Sequence, residues 1–150
     1  MEIETQDIEQ TDLDELVKSF GTESMDMSAL YFDSRDECLR CITQIKDAMI
    51  SRYGGKSTYH IELIIDECLA NALYHGEGKA RVFYSCGDSC FRIAVFDYGR
   101  GFDPGSVPDP TTAENIDKMH GRGIFLMRAL ADSIRWNERG NKVFVEKRVQ

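Results

Sequence analysis

No stretch of this chain approaches the roughly 18 consecutive apolar residues of a membrane span. Its opening residues, MEIETQDIEQ, hold acids where a signal peptide holds bases. A cytoplasmic protein with no membrane attachment is therefore expected. A zinc site lacks its parts. Five cysteines, at 38, 41, 68, 86 and 90, give one CxxC (Cys38, Cys41) and no second. Cys38, Cys41 and Cys68 fall inside apolar periodic patterns, so free buried thiols are expected rather than a metal site or disulfides. A basic field is missing too. The net charge is −8, and residues 1–28 carry nine acids against the single base Lys18, which leaves 17 acids and 17 bases in the other 122 residues. Phosphate backbones attract no such surface, so nucleic acid is not an expected partner. Neither GxxxxGK[ST] nor GxGxxG occurs, which removes the P-loop and the dinucleotide fold.

What remains is one domain's worth of chain, 150 residues that are 42% hydrophobic, enough for a single apolar core. The acidic segment has partial helical spacing around 13–20 (Leu13, Leu16, Val17, Phe20) and a break from Gly21 to Ser24. Residues 1–27 are read as an arm, mobile or docking on a partner, or folding back over the protein's own surface. From Ser28 the pattern tightens. Ala29 to Phe32 reads as a strand, and Asp33 or Ser34 caps a helix whose buried face is Cys38, Cys41, Ile42, Ile45 and Met49, ended by Tyr53-Gly54-Gly55. A second helix runs from Ser57 or Thr58 to His75, with Ile61, Ile64, Ile65, Cys68, Leu69, Ala72 and Leu73 as its stripe.

The period then changes to two. Arg81 to Cys86 and Phe91 to Asp97 flank the turn Gly87-Asp88-Ser89 as a hairpin. The stretch from Gly99 to Gly123 has little periodicity and holds five of the twelve glycines and all three prolines. A loop of that length in a small domain is usually functional or disordered. A short helix, Ile124 to Asp132, and a second hairpin, Ser133 to Asn137 and Lys142 to Val149, complete the chain. The result is an α+β two-layer sandwich, a mostly antiparallel sheet with helices on one face.

Three clusters carry chemistry. Glu67, Asn71 and His75 are spaced i, i+4, i+8 and form one row on the second helix. An amide oxygen there can hold hydrated Mg²⁺ while a carboxylate handles a proton; a solvated helix face is the plain alternative. Asp97-Tyr98-Gly99-Arg100-Gly101-Phe102-Asp103-Pro104 leaves the end of a strand. Its carboxylate can accept from an exocyclic amine such as adenine's, and its glycines let a flat ligand approach the backbone, although a turn with an Asp cap has the same composition. Gly121-Arg122-Gly123 opens the helix that starts at Ile124, where free backbone N–H groups suit phosphates and a hinge is the alternative.

The order of these pieces is more telling than any one of them. It resembles the GHKL (Bergerat) ATP-binding fold of sensor histidine kinases, gyrase-type topoisomerases and a class of heat-shock chaperones. More narrowly, Asp66-Glu67-Cys68-Leu69-Ala70-Asn71-Ala72 with His75-Gly76, then DYGRGFDP, then HGRGIFLM followed by Arg128-Ala129-Leu130-Ala131-Asp132, resembles the anti-sigma-factor serine/threonine kinases of bacterial stress and sporulation switches. The likeness covers about residues 28–150.

That resemblance implies ATP and Mg²⁺ as cofactors. Asn71 would ligate the Mg²⁺, Glu67 would orient or deprotonate the acceptor hydroxyl, and Asp97 would read the adenine amine. Gly99 and Gly101 would line the base pocket, with His75 also at the nucleotide. Residues from about Pro104 to Gly123 would form an ATP lid, and Gly121, Arg122, Gly123 and Ile124 would meet the phosphates. Its partners would be a STAS-type anti-sigma antagonist as phosphorylation substrate and a sigma factor held in alternation, with a homodimer as the assembly. A nucleotide-gated binding module without transfer activity is the alternative. The chain departs from the family at Asn141, where such kinases usually place a threonine after a glycine, and Asn141 is not counted among the site residues. Only His60, His75 and His120 are present, with no separate helical hairpin to carry a phosphorylated histidine. A stand-alone kinase is the expectation.

Overall fold

The computed structural model describes residues 3–21, 26–54, 58–101 and 122–149. Its elements are α1 (Gln10–Phe20), β1 (Ser28–Phe32), α2 (Arg35–Tyr53), α3 (Tyr59–His75), β2 (Ala80–Cys86), β3 (Cys90–Asp97), α4 (Arg122–Leu130), β4 (Ser133–Trp136) and β5 (Lys142–Arg148). The strands form one sheet in the order β1-β2-β3-β5-β4, and every pairing is antiparallel. This is the expected α+β architecture, with element ends within two residues of those read from sequence.

Local chemistry explains the helices. Ser34 caps α2: its Oγ accepts from the Glu37 backbone N–H at 3.2 Å, while Glu37 Oε1 accepts from the Asp33 N–H at 3.4 Å, one residue ahead of the cap. One face of α2 (Cys38, Cys41, Ile45, Met49) and the stripe of α3 (Ile61, Ile64, Ile65, Cys68, Leu69) are buried against Leu30, Phe32, Val82, Ile93, Val95 and Val145 of the sheet. All five cysteines are free thiols, as expected, and burial pushes the Cys38 thiol up to about 11 and Cys41 to about 12. At ordinary pH both are uncharged packing groups.

Of the readings of the acidic arm, α1 takes the fold-back over the protein's own surface, and the departure from the sequence reading is in the number of sheet faces covered. Side chains of alternate parity on the strands point to the opposite face, and there Ala29, Phe83, Ala94, Phe96 and Phe144 form a second cluster with Leu16 and Phe20 of α1. The segment thus lies on its own sheet, and the helices occupy both faces rather than one. Leu16 is completely buried. Polar contacts border this apolar seat: Asp12 pairs with Arg81, Glu15 Oε1 lies 2.6 Å from Lys142 Nζ, and the Ser19 carbonyl accepts from Arg135. Arg81 and Lys142 also flank the Phe96 ring, at 5.7 and 4.8 Å from its centroid. Ahead of α1, the Gln6 N–H donates to the Ala29 carbonyl at 2.7 Å, which places a bridge along the outer edge of β1.

Candidate active site

The sheet and α3 diverge at the end where β3 stops, and the chain's polar groups collect there. β3 ends in Asp97, whose Oδ1 accepts the Gly99 N–H at 2.8 Å, so the carboxylate closes the turn that leads out of the sheet. The Asp97 N–H donates to the Asn141 carbonyl at 2.9 Å, so β5 begins beside it. Between these strands and α3 lies a narrow cleft whose wall includes Cys68, Asn71, Val95, Asp97, Trp136 and Asn141. The two candidates Asn71 and Asp97, from different clusters in the sequence, therefore face one space. Among the described residues no hydrogen bond engages the Asn71 carboxamide, which leaves its oxygen for a ligand or a hydrated cation. No group of three or more His, Cys, Asp or Glu that could hold a metal occurs among the described residues. The donor set suits Mg²⁺ shared with phosphates rather than a metal held by protein alone.

Glu67 lies beside this cleft and not in its wall. A Cβ built on Gly123 would collide with Glu67 Oε2 and sit 3.2 Å from its Cδ, so the carboxylate occupies the place of the side chain that Gly123 lacks, in the first turn of α4. Burial, then the neighbouring Asp66 charge, holds the Glu67 carboxyl above its ordinary pKa. Burial does the same to Asp97, opposed by the Gly99 N–H and by the positive charges of Arg139 and His75. Raised carboxylates at a cleft fit groups that exchange protons or accept strong hydrogen bonds.

The glycines are needed for a reason other than ligand approach. A Cβ on Gly99 would come within 2.6 Å of the His75 carbonyl, and one on Gly101, whose φ is +80°, would strike the Arg139 carbonyl. Protein fills both spaces. Arg139 Nε in turn donates to the Arg100 carbonyl at 3.3 Å, so the glycine loop and the β4–β5 turn brace one another across the mouth of the cleft. His75 itself is exposed, and its contribution is the carbonyl packed against Gly99. Ile124 is a correction: its side chain is buried in the core, so only its backbone N–H in the first turn of α4 is left to meet a phosphate. Gly121 and the lid segment up to it lie outside the described residues, and α4 begins at Arg122.

A family model of the histidine kinase-like ATPase domain matches residues 33–147. The chain belongs to that family. A search of curated proteins found no match. The matched region begins just ahead of α2, so α1 lies outside it. Membership of the ATPase family implies ATP binding, usually with Mg²⁺, and the open Asn71 amide and the Asp97 carboxylate fit those ligands. Among the described residues of this ATPase domain no helix is long and apolar enough to cross a membrane. Trp136 and Asn141 are among the wall residues that stand outside the sequence candidates. Asn141 departs from the family pattern and Trp136 carries no motif; the signal available for both is their place on either side of the β4–β5 turn, in a hairpin that returns to Asp97.

Proposed function

We propose that this ATPase domain is an ATP-dependent serine/threonine protein kinase whose substrate is a small STAS-type antagonist. A sigma factor would be its alternate partner and a homodimer its working form. The observation that carries the catalytic half is the position of Glu67, held at the first turn of α4 by Gly123 and one helical turn from Asn71 in the cleft wall. When bound, ATP with Mg²⁺ supplies the phosphoryl group and neutralises its charge. Asp97 accepts the N–H of the base, the Asn71 amide oxygen holds the cation, and Glu67 takes the proton of the acceptor hydroxyl. Phosphoryl transfer asks for positioning more than for basicity, so a carboxylate of modestly raised pKa in a fixed place is sufficient. The partner half rests on the likeness of the DYGRGFDP and HGRGIFLM motifs to anti-sigma-factor kinases.

Incubating the purified chain with γ-labelled ATP, Mg²⁺ and soluble host lysate tests both halves. One small labelled protein, absent with Glu67→Gln, is the expected result. ATP held without any labelled protein would replace this reading with the nucleotide-gated binding module.

A further inference from the structure

The seat of α1 is aromatic at its floor and cationic at its rim, and α1 fits it incompletely. The rings of Phe83 and Phe144 stand 4.9 and 5.5 Å from that of Phe96, and Phe20 of α1 meets Phe144 edge-on at 5.8 Å. Around these rings Arg81, Lys142 and Arg135 all reach α1. Asp12, Leu16 and Phe20 are spaced i, i+4, i+8 and make the one buried stripe of the helix, with Glu15 beside it. The mismatch is at Arg81. Asp12 takes a single terminal nitrogen of the guanidinium through Oδ2, and Arg81 Nε is buried with no hydrogen-bond partner among the described residues. The edge of a guanidinium is matched by a carboxylate that accepts two of its N–H groups at once, and this short acid meets one. Burial also holds the Asp12 carboxyl above its ordinary pKa although the Arg81 and Lys142 charges oppose it, so the pair does not fully offset the desolvation of the acid. With 11 residues, α1 is too short to hold a helix without its seat. It also lies outside residues 33–147, the span of the ATPase family model. The domain thus carries an aromatic, cation-rimmed sheet face, filled by an appended helix that leaves its most buried cation half paired.

We propose that this face is a docking site for an acidic amphipathic helix of a partner protein, and that α1 is its resident competitor, holding the site until a better-paired helix takes its place. The chemistry of the seat specifies that helix. Two large apolar side chains four residues apart fill the places of Leu16 and Phe20 over the phenylalanine rings. A glutamate four residues ahead of the first, one methylene longer than Asp12, reaches both Nε and a terminal nitrogen of Arg81. A second acid beside the stripe meets Lys142, as Glu15 does. The site lies on the face of the sheet away from α3 and the cleft, so the proposal does not rest on the catalytic reading.

The test uses the full chain and fluorescein-labelled peptides of residues 9–21, one natural and one carrying Asp12→Glu, with binding read by fluorescence anisotropy. Chains carrying Leu16→Ala or Phe20→Ala weaken the resident helix, and circular dichroism checks that they fold. Each should bind either peptide about 10-fold or more tightly than the wild-type chain does, because the competitor on the same seat is weaker. On these chains the Asp12→Glu peptide should bind about 3–10-fold more tightly than the natural one. Adding Arg81→Met, which keeps a stem over Phe96 and removes the guanidinium, should abolish that difference between the peptides. A peptide with Asp12→Lys and Glu15→Lys should not bind. Folded Leu16→Ala and Phe20→Ala chains that take the peptides no better than wild type overturn the proposal, as does equal binding of the charge-reversed peptide. If neither chain folds, α1 is part of the domain's core and no competitor, which overturns it as well. Dimers of either chain in sedimentation, with no peptide bound, would give the face to a second copy and overturn the assignment to a partner.

Discussion

Substituting alanine for Gly123 separates the stability of this domain from the placement of its proposed base. The new Cβ would lie 3.2 Å from Glu67 Cδ and closer still to Oε2, inside the 3.0 Å limit that real Cβ atoms keep. What it meets is the far end of a flexible side chain, so Glu67 can turn away for about 0.5–1.5 kcal/mol of rotamer strain. Against that, alanine in a helix is favoured over glycine by about 0.8–1.0 kcal/mol. The two effects nearly cancel, and the unfolding free energy of Gly123→Ala should stay within about 1 kcal/mol of wild type by urea denaturation. Function should not survive so well. A carboxylate pushed aside by roughly 1 Å costs on the order of 100-fold in rate where positioning supplies the catalysis. Phosphate transfer under saturating ATP should fall by that order while ATP affinity, set in the Asp97 cleft, barely moves. The double variant Gly123→Ala with Glu67→Gln should be no slower than Glu67→Gln alone, since both changes remove the same group. Transfer at wild-type rate in folded Gly123→Ala would refute the placement of Glu67.

Four further outcomes follow from the same structure. Glu67 binds its proton more tightly in the fold than in the unfolded chain, so its charge costs stability above the raised pKa and that cost fades as pH falls below the ordinary carboxylate value. Glu67→Gln should therefore raise the urea midpoint at about pH 7, with the gain shrinking toward about pH 4, even as transfer is lost. Gly101→Ala meets the Arg139 backbone in a left-handed conformation and, unlike the change at 123, should destabilise by about 2 kcal/mol or more, seen as a lowered melting temperature. Leu16→Ala, at a side chain of α1 fully buried against the sheet, should cost about 2 kcal/mol or more by denaturation. In contrast, about 1 M salt should leave α1 seated in a limited-proteolysis assay, because the partly exposed Glu15–Lys142 pair contributes less than about 1 kcal/mol.

The helices α2 and α3 are legible in the sequence because their apolar faces repeat at 3.6 residues and Ser34 announces its cap; the hairpins are legible from the change of period. The seat of α1 is not, because its apolar spacing is only partial, Leu16 and Phe20 alone of its apolar residues being buried, and its many acids equally suit a mobile arm. A signal does exist in its partner. Val82-Phe83-Tyr84 and Ile93-Ala94-Val95-Phe96 are continuous apolar runs, which a sheet covered on one face does not need. At the site, the types and order of Glu67, Asn71 and Asp97 can be read from the chain. The glycines can be identified, but the atoms that require them, from Glu67, His75 and Arg139, are distant in sequence. The three N–H groups that donate to Asn137 Oδ1, from Gly140, Asn141 and Lys142, converge only once the β4–β5 turn has formed.

The bridge from Gln6 to Ala29 bears on how this sheet behaves among other copies of itself. An open sheet has two edges, and each exposed row of backbone N–H and C=O groups invites another strand. On one side Gln6 already takes the Ala29 carbonyl. On the other, β4 is only four residues long and carries a charged Arg135. Both borders thus give a foreign strand little to pair with. Removing the segment ahead of α1 would strip that contact from β1 and open the whole of its outer edge to a foreign strand.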